Sequence, residues 1–161
     1  MPDRQGQIAF VGAGPGARDL LTLRAVERLQ EADVIFYDGL VDPDVLELAR
    51  RDAERVFVGN VPGTHIWPGE RICRLVLAEA AKGRRVVRLE SGDAGISGHA
   101  KETLDAATAA NIRVEIVPGV TAASAFAAAS GQPLSGEEIR NPPFARQSLP
   151  GRTLAFDLKS E

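Results

Sequence analysis

Near its N-terminus the chain reads Ile8-Ala9-Phe10-Val11-Gly12-Ala13-Gly14-Pro15-Gly16. An apolar run that ends in a glycine-rich turn predicts a buried strand whose following loop offers backbone N–H groups to a ligand. Gly12, Gly14 and Ala17 also satisfy the G-x-G-x-x-G/A dinucleotide pattern, and Asp38 follows about twenty residues later, where a ribose-binding acid is expected. The stretch therefore predicts a cofactor loop, and a dinucleotide-binding oxidoreductase is one hypothesis.

The helix that follows this turn is predicted to begin late for a dinucleotide site. Leu23, Val26 and Leu29 form an apolar stripe at helical spacing, and Thr22 is the natural N-cap. Residues 15–21 then form a loop, whereas dinucleotide binding places a helix N-terminus directly at the glycine turn. The late start disfavours the dinucleotide hypothesis and leaves the loop available for another ligand.

Beyond the loop, short segments rich in Val and Ile alternate with amphipathic segments. Such alternation is typical of a parallel sheet with helices on its faces, because each parallel pair of strands requires a crossover. We predict an α/β fold of three layers, α/β/α, around a mainly parallel five-stranded sheet. The predicted strands are Gln7–Val11, Asp33–Tyr37, Arg55–Val58, Arg85–Leu89 and Arg113–Val117, and the predicted helices are Leu23–Glu31, Pro43–Arg50, Glu70–Ala81, His99–Ala110 and Thr121–Ser130.

Each predicted strand is followed by a loop that carries glycine or an acidic residue. Ligands of open α/β sheets collect beyond the carboxyl ends of the strands, so five such loops on one edge favour a ligand site there. The loops are Gly12–Gly16, Asp38-Gly39, Gly59–Gly63, Ser91–Gly95 and Pro118–Thr121.

Composition excludes several classes of function. The chain has 161 residues, with 19 Lys and Arg against 22 Asp and Glu, and this balance predicts no binding to nucleic acid. Cys73 is the single cysteine, and His65 and His99 lack the spacing of metal ligands, so we expect no metal site. No apolar segment approaches the roughly twenty residues that span a bilayer, so a cytoplasmic protein without membrane contact is expected.

The character of the chain changes after Gly131. Residues 132–161 are rich in Pro and Ser and show no sustained period, apart from one strand candidate at Thr153–Phe156. We therefore predict an α/β domain over residues 1–131, followed by a linker and a remnant strand of a second domain over 132–161.

With these loops assembled, the sequence resembles the tetrapyrrole methylase family, most closely its uroporphyrinogen-III C-methyltransferase branch. The resemblance runs from about Ile8 to Leu134. It is carried by four ordered motifs: Val11–Gly16 with Leu20–Leu23, Ala32–Val41, Arg85–Leu89 with Gly92-Asp93, and Val117–Ala122.

The resemblance implies two α/β domains that hold S-adenosylmethionine between them, usually in a homodimer. This sequence matches the first domain only, so we expect a truncated C-methyltransferase that needs a second subunit or domain. Its expected substrate is a tetrapyrrole of the uroporphyrinogen-III or precorrin type. The alternative is a non-catalytic module that binds a tetrapyrrole or a partner protein.

The resemblance also implies roles for individual residues. Asp38 and Asn60 are the expected catalytic residues, although Asn60 replaces a lysine of the branch and cannot carry its charge. An arginine of the branch is also absent, and His99 lies at that place. The expected cofactor-binding residues are Pro15, Gly16, Gly92, Asp93, Ala94, Ile96, Thr121 and Ala122.

Three of the singled-out side chains have ordinary structural alternatives. Asp38 could close a turn before Gly39, and Asp93 could hold an Asx-turn. Trp67 could offer a stacking surface to a flat macrocycle or could simply pack in the core. The sequence leaves these alternatives open.

Overall fold

The computed structural model describes residues 6–59, 67–96 and 100–133. Contacts between Cα atoms within the chain group the residues up to Val120 into one compact unit and those from Thr121 into a second. The first unit contains β1 (Gln7–Gly12), α1 (Leu23–Glu31), β2 (Val34–Asp38), α2 (Pro43–Leu46), β3 (Glu54–Gly59), α3 (Gly69–Ala81), β4 (Arg85–Glu90), α4 (Ala100–Ala109) and β5 (Arg113–Val117). The second unit contains α5 (Ala122–Ser130).

All five predicted strands are present, each within one residue of its predicted bounds. They form one sheet in the order β3-β2-β4-β1-β5, and every neighbouring pair is parallel. Ile8 of β1 lies opposite Val86 of β4 on one side and Val114 of β5 on the other. The predicted α/β fold with a parallel five-stranded sheet is confirmed.

Two apolar cores cover the two faces of the sheet in the first unit. Alternation along each strand sends Ala9, Val11 and Ile35 to the core beneath α1 and α2, and it sends Ile8 and Phe10 to the core beneath α3 and α4. Each fully buried Ile, Leu or Val contributes about 1.5–3 kcal/mol relative to an exposed one. The three predicted layers therefore follow from the period-two pattern of the strands.

Residues that favour the start or end of a helix lie at the helix ends, and most of the helices have the predicted positions. The Thr22 hydroxyl accepts a hydrogen bond from the Ala25 N–H at 3.1 Å, which confirms the predicted N-cap of α1. Asn111, beyond the end of α4, adopts a φ of 56°, the left-handed conformation expected of a C-terminal stop. The chain between the glycine turn and α1 contains a short 3-10 helix at Arg18–Leu20.

The predicted helix over Pro43–Arg50 is wrong at its C-terminal end, because α2 ends at Leu46. The next amides bond three residues back, Leu48 N–H to the Val45 carbonyl at 3.1 Å and Ala49 N–H to the Leu46 carbonyl at 3.1 Å. This tighter winding is of the 3-10 type, and Val45, Leu46 and Ala49 are all buried. Burial of these side chains outweighs regular α-helical bonding here.

An ion pair joins α1 to the edge strand β5. Arg28 Nε donates to Glu115 Oε2 at 2.6 Å, and Nη2 donates to Oε1 at 3.3 Å. The hydrogen bond from Arg28 lowers the pKa of the Glu115 carboxyl below its ordinary value.

None of the described helices is both long and apolar enough to cross a membrane. The strand candidate at Thr153–Phe156 lies outside the described residues, and the division at Gly131 stays a prediction.

Candidate functional site

The parallel sheet brings the carboxyl ends of its strands to one edge, where ligands of such folds bind. Gly12 ends β1 at this edge and lies opposite Glu90, the last residue of the central strand β4. Val117 ends β5 on the other side of β1. The loops after β1, β4 and β5 are therefore neighbours, and β2 and β3 continue the sheet on the other side of β4.

Three glycines meet where those loops leave the sheet, and we call Gly12, Gly92 and Gly119 the glycine junction. A Cβ added at Gly12 would lie 2.6 Å from the Gly92 carbonyl oxygen and 2.8 Å from the Cα of Gly119. One added at Gly119 would lie 2.3 Å from the Gly92 carbonyl oxygen. Only hydrogen fits in these places, so glycine is required by contact between backbones.

Backbone hydrogen bonds close the junction. Gly14 N–H donates to the Gly92 carbonyl at 3.1 Å, and Gly92 N–H donates to the Gly14 carbonyl at 2.8 Å. Ala13 N–H also donates to the Glu90 carbonyl at 2.7 Å. The β1 loop is thus paired with the β4 loop as if by a short additional strand, which holds both loops in fixed positions.

Asp93 supports the junction through its side chain. Its Oδ1 accepts hydrogen bonds from the Gly95 N–H at 3.0 Å and from the Gly119 N–H at 3.4 Å. The first is the Asx-turn that the sequence allowed, and the second ties the β4 loop to the β5 loop. The carboxylate is half-buried and is oriented by backbone donors.

The remaining residues predicted to bind the cofactor lie in three environments. Pro15 and Gly16 are half-buried beside the junction, and Ile96 is 70% exposed. Ala94 is buried in the core beneath α3 and α4. Thr121 and Ala122 belong to the second unit, where Thr121 is the N-cap residue of α5 and Ala122 its first residue.

Asp38 ends β2 on the face of the sheet that α3 and α4 cover. Its Oδ1 accepts a hydrogen bond from Arg88 Nη2 at 2.5 Å, and both side chains are more than nine-tenths buried. Arg88 Nη1 donates to the carbonyls of Phe36 at 3.3 Å and Leu89 at 3.0 Å. Glu90, two residues on and on the same face, brings its Oε1 to 3.9 Å from Arg88 Nε. We call Asp38, Arg88 and Glu90 the buried charge cluster.

Sequence reasoning missed Arg88 and Glu90. The available signal was two charged residues spaced two apart at the end of a strand whose other residues, after Arg85, are Val and Leu, because this spacing puts them on one buried face. Charges in such positions are costly unless they are paired.

A cleft of about 620 Å³ lies on the same face of the sheet and includes two members of the buried charge cluster. Trp67 forms part of its wall, packs against the α3/α4 core and carries the Arg71 guanidinium 4.3 Å from its ring centroid. Packing of Trp67 in the core is therefore confirmed, and its stacking on a macrocycle stays a prediction. The lining residues are Phe10, Val58, Trp67, Pro68, Gly69, Glu70, Ile72, Cys73, Val76, Arg88, Glu90, Glu102 and Thr103.

The other predicted catalytic residue, Asn60, lies outside the described residues, as do His65 and His99. Asn60 follows Gly59, which pairs in register with Asp38. Within the described ranges, His, Cys, Asp and Glu side chains form no group of three that could hold a metal ion.

Comparison with known proteins identifies the family. The model of the Tetrapyrrole (Corrin/Porphyrin) Methylases matches residues 7–146. The siroheme synthase of Citrobacter koseri is 50% identical over 133 residues, which are 83% of this chain and 29% of that protein. The chain therefore spans less than a third of the length of this curated relative.

Solved structures agree with the family assignment. A uroporphyrin-III-C-methyltransferase from Thermus thermophilus is similar with a TM-score of 0.72 and 38% identity, over 83% of this chain and 56% of that one. A Thermus thermophilus structure of such an enzyme complexed with S-adenyl homocysteine has a TM-score of 0.66 and 40% identity, over 85% of this chain and 57% of that one. The sheet, its loops and the matched segment together establish that the chain belongs to the tetrapyrrole methylase family.

Proposed function

We propose that this chain forms the N-terminal domain of an S-adenosylmethionine-dependent C-methyltransferase that acts on a tetrapyrrole. The observation that carries the proposal is the glycine junction, which fixes the loops after β1, β4 and β5 as one backbone frame in a member of this family. A structural neighbour complexed with S-adenyl homocysteine supports the choice of cofactor.

The residues around the junction suit a methyl donor that is cationic and partly apolar. When bound, S-adenosylmethionine supplies an electrophilic methyl group on its sulfonium. We assign the backbone of Pro15, Gly16 and Gly92 to its contact surface, and the Asp93 carboxylate to its polar groups. The exposed Ile96 offers an apolar surface, and Ala94 supports the wall from the core. Thr121 and Ala122, the other residues predicted to bind the cofactor, belong to the second unit, and their role stays a prediction.

The cleft beside the buried charge cluster is proposed to receive the tetrapyrrole. Its volume of about 620 Å³ and its Phe10 and Trp67 side chains suit a flat, largely apolar ring. After a pyrrole carbon gains a methyl group, the ring system must lose a proton, and this requires an acceptor at the site. We propose Asp38 as that acceptor and Asn60 as a hydrogen-bonding partner of the substrate. In this role Arg88 would orient the Asp38 carboxylate.

We further propose that a second domain or subunit completes the donor site, as a homodimer or a complementing chain. The chain covers 56% of the similar Thermus thermophilus methyltransferase, and this proportion supports a contribution from outside the matched segment.

Calorimetric titration with S-adenosylhomocysteine tests the cofactor assignment directly. We expect saturable binding that Asp93→Ala weakens at least tenfold. Asp105→Ala, which removes an exposed carboxylate on α4, serves as the matched control and is expected to leave binding unchanged. Absence of heat and of thermal stabilisation at millimolar ligand would overturn the assignment.

A tetrapyrrole-binding module without methyl transfer is the second candidate. It is favoured by one observation, that the described lining of the cleft belongs entirely to the first unit. Titration with a porphyrin, followed by its absorbance, separates the two candidates when combined with transfer of labelled methyl from S-adenosylmethionine. Porphyrin binding without S-adenosylhomocysteine binding or label transfer would favour the module.

A further inference from the structure

Three carboxylates of the described residues line the cleft, and the fold encloses one of them. Glu70, in the first turn of α3, and Glu102, in the first turn of α4, are exposed. Glu90 is 3% exposed and comes from the end of β4, in the sheet that the two helices cover. Among the described lining residues, Glu90 is therefore the carboxylate at the base of the cleft.

Arg88 shares its positive charge between Glu90 and a second carboxylate. Its Nη2 donates to Asp38, and its Nη1 donates to two backbone carbonyls. Its Nε lies 3.9 Å from Glu90 Oε1, a distance at which the charges attract but which is too long for a hydrogen bond. The two oxygens of an ionised carboxylate offer about four lone-pair sites, so Glu90 can accept hydrogen bonds from a ligand as well.

A tetrapyrrole carries its hydrogen-bond donors and its acids in different places. Pyrrole N–H groups lie at the centre of the ring system, whereas carboxylates lie on side chains around its rim. A carboxylate at the base of a cleft attracts the N–H groups and repels the rim. The orientation that suits this cleft therefore directs the centre of the ring system to Glu90 and keeps the rim carboxylates away from it.

The oxidation state of the ring decides whether its N–H groups can reach such an acceptor. In a porphyrinogen, saturated carbons join the pyrroles, so the pyrroles can tilt and direct all four N–H groups to one side. In an aromatic porphyrin, the two N–H groups lie in the plane of a rigid ring and cannot converge on an acceptor above it. A single carboxylate is thus complementary to the centre of the reduced ring and not to that of the oxidised one.

We propose that Glu90 binds the centre of a reduced tetrapyrrole by accepting hydrogen bonds from its pyrrole N–H groups. The inference rests on the proposed function, since it takes the cleft as the tetrapyrrole site, and it deepens that function by assigning the residue that positions the ring. Glu90 pairs in register with Gly12 of the glycine junction, on a neighbouring strand about 4.8 Å away. A ring bound at Glu90 is therefore close to the loops to which we assign the methyl donor.

Anaerobic calorimetric titrations with uroporphyrinogen and with uroporphyrin test this assignment, because the two ligands have the same rim carboxylates and differ in the oxidation of the ring. We expect the wild type to bind uroporphyrinogen about tenfold or more tightly, since hydrogen bonds to a charged group are the stronger kind. Glu90→Gln, which keeps the size of the side chain but removes its charge, should reduce this ratio to about threefold or less. Glu27→Gln makes the same change on an exposed side chain of α1, which covers the opposite face of the sheet, and should leave the ratio unchanged.

Thermal unfolding shows whether Glu90→Gln is folded. Glu90→Asp, which keeps the charge but shortens the side chain by one methylene, is the second variant and should give an intermediate ratio. Equal or weaker binding of uroporphyrinogen by the wild type would overturn the inference without any variant. An unchanged ratio in folded Glu90→Gln would also overturn it, because the preference would then come from the shape of the ring alone.

Titration with S-adenosylhomocysteine in the same samples keeps the inference and the proposed function distinguishable. If it binds while both tetrapyrroles bind equally, the role of Glu90 fails and the proposed function stands. If the preference depends on Glu90 but S-adenosylhomocysteine does not bind, the inference stands and the cofactor assignment fails. If neither tetrapyrrole binds, the cleft is not the tetrapyrrole site, and the inference falls together with that part of the proposed function.

Discussion

The glycine junction and the buried charge cluster lie at the same edge of one sheet, but backbone atoms form the first and charged side chains form the second. The junction consists of backbone atoms in contact, with no side chain larger than hydrogen at Gly12, Gly92 or Gly119. The cluster consists of the long charged side chains of Asp38, Arg88 and Glu90, enclosed among apolar residues. Close contact between backbones specifies the first region, whereas pairing of charges specifies the second.

This difference predicts which substitutions would destabilise each region. The junction tolerates no added volume, and none of its three glycines carries a charge. The cluster can accept some change of shape, but removal of one charge leaves the others in a medium of low polarity. Substitutions matched to each region test whether this contrast is correct.

The largest effect is expected for Arg88→Met. Loss of the guanidinium removes the ion pair with Asp38 and the hydrogen bonds to two carbonyls, and breaking such a buried pair costs about 3–5 kcal/mol. Urea unfolding measures the free energy of unfolding. Arg85→Met, on the same strand with a half-exposed side chain, is the control and should cost about 0.5 kcal/mol or less. A loss below about 1 kcal/mol for Arg88→Met would contradict the importance assigned to the pair.

A smaller loss is expected for Gly119→Ala. The added Cβ would lie 2.3 Å from the Gly92 carbonyl oxygen, so the backbone must shift, at a cost of about 3 kcal/mol. Gly69→Ala is the matched control, because no atom lies within 4 Å of its added Cβ. The control should be neutral or stabilising by up to about 1 kcal/mol, since alanine reduces the entropy of the unfolded chain. Similar thermal stabilities for the two variants would refute the junction as a steric constraint.

Substitutions at Asp93 distinguish its structural role from a role in ligand binding. Asp93→Ala removes the acceptor for the Gly95 and Gly119 amides, and the unfolding free energy should fall by about 1–2 kcal/mol. Asp93→Asn keeps an oxygen acceptor and should retain most of that stability. If Asp93→Asn nevertheless binds S-adenosylhomocysteine more weakly, the charge itself acts on the ligand. Wild-type affinity in Asp93→Asn would assign the residue to the turn alone.

The smallest effect is expected at the ion pair between Arg28 and Glu115, which belongs to neither region. The pKa of Glu115 is lowered in the folded state, so its stabilisation is present above the unfolded value near 4.5 and is lost as pH falls through the folded pKa. Both side chains are partly exposed, which limits the contribution to less than about 1 kcal/mol.

Glu115→Gln should therefore reduce the difference in unfolding free energy between pH 7 and pH 3. Glu27→Gln, on the helix α1 that carries Arg28, controls for the change in net charge. An unchanged pH dependence in Glu115→Gln would show that the pair adds nothing to stability.

Local patterns in the sequence were sufficient for the fold. Thr22 could be identified as an N-cap because its hydroxyl bonds an amide only three residues away. The strands were found because their alternation reports burial directly. The end of α2 was misjudged because burial of Ala49 depends on tertiary packing, which shortened the regular helix after Leu46.

The site was less predictable, because its contacts join residues that are distant in the sequence. Gly92 and Gly119 could be recognised as loop glycines, but their contact with Gly12 depends on the order of the strands. The pairing of Arg88 with Asp38 spans fifty residues, so the charges at Arg88 and Glu90 indicate a buried pair but not its partner. Contacts between residues close in the sequence could therefore be predicted, whereas contacts between distant residues could not.

The order of the strands also bears on how the chain folds as it is synthesised. β2 pairs with β3 and needs only a short loop and α2 to emerge, whereas Ile8 of β1 pairs with Val86, roughly eighty residues later. At about 5–20 residues per second, β1 waits on the order of four to sixteen seconds on the ribosome before its first partner strand is made. During that interval the apolar segment Ile8–Val11 has no partner strand, and unpaired apolar strands of this kind are prone to aggregation.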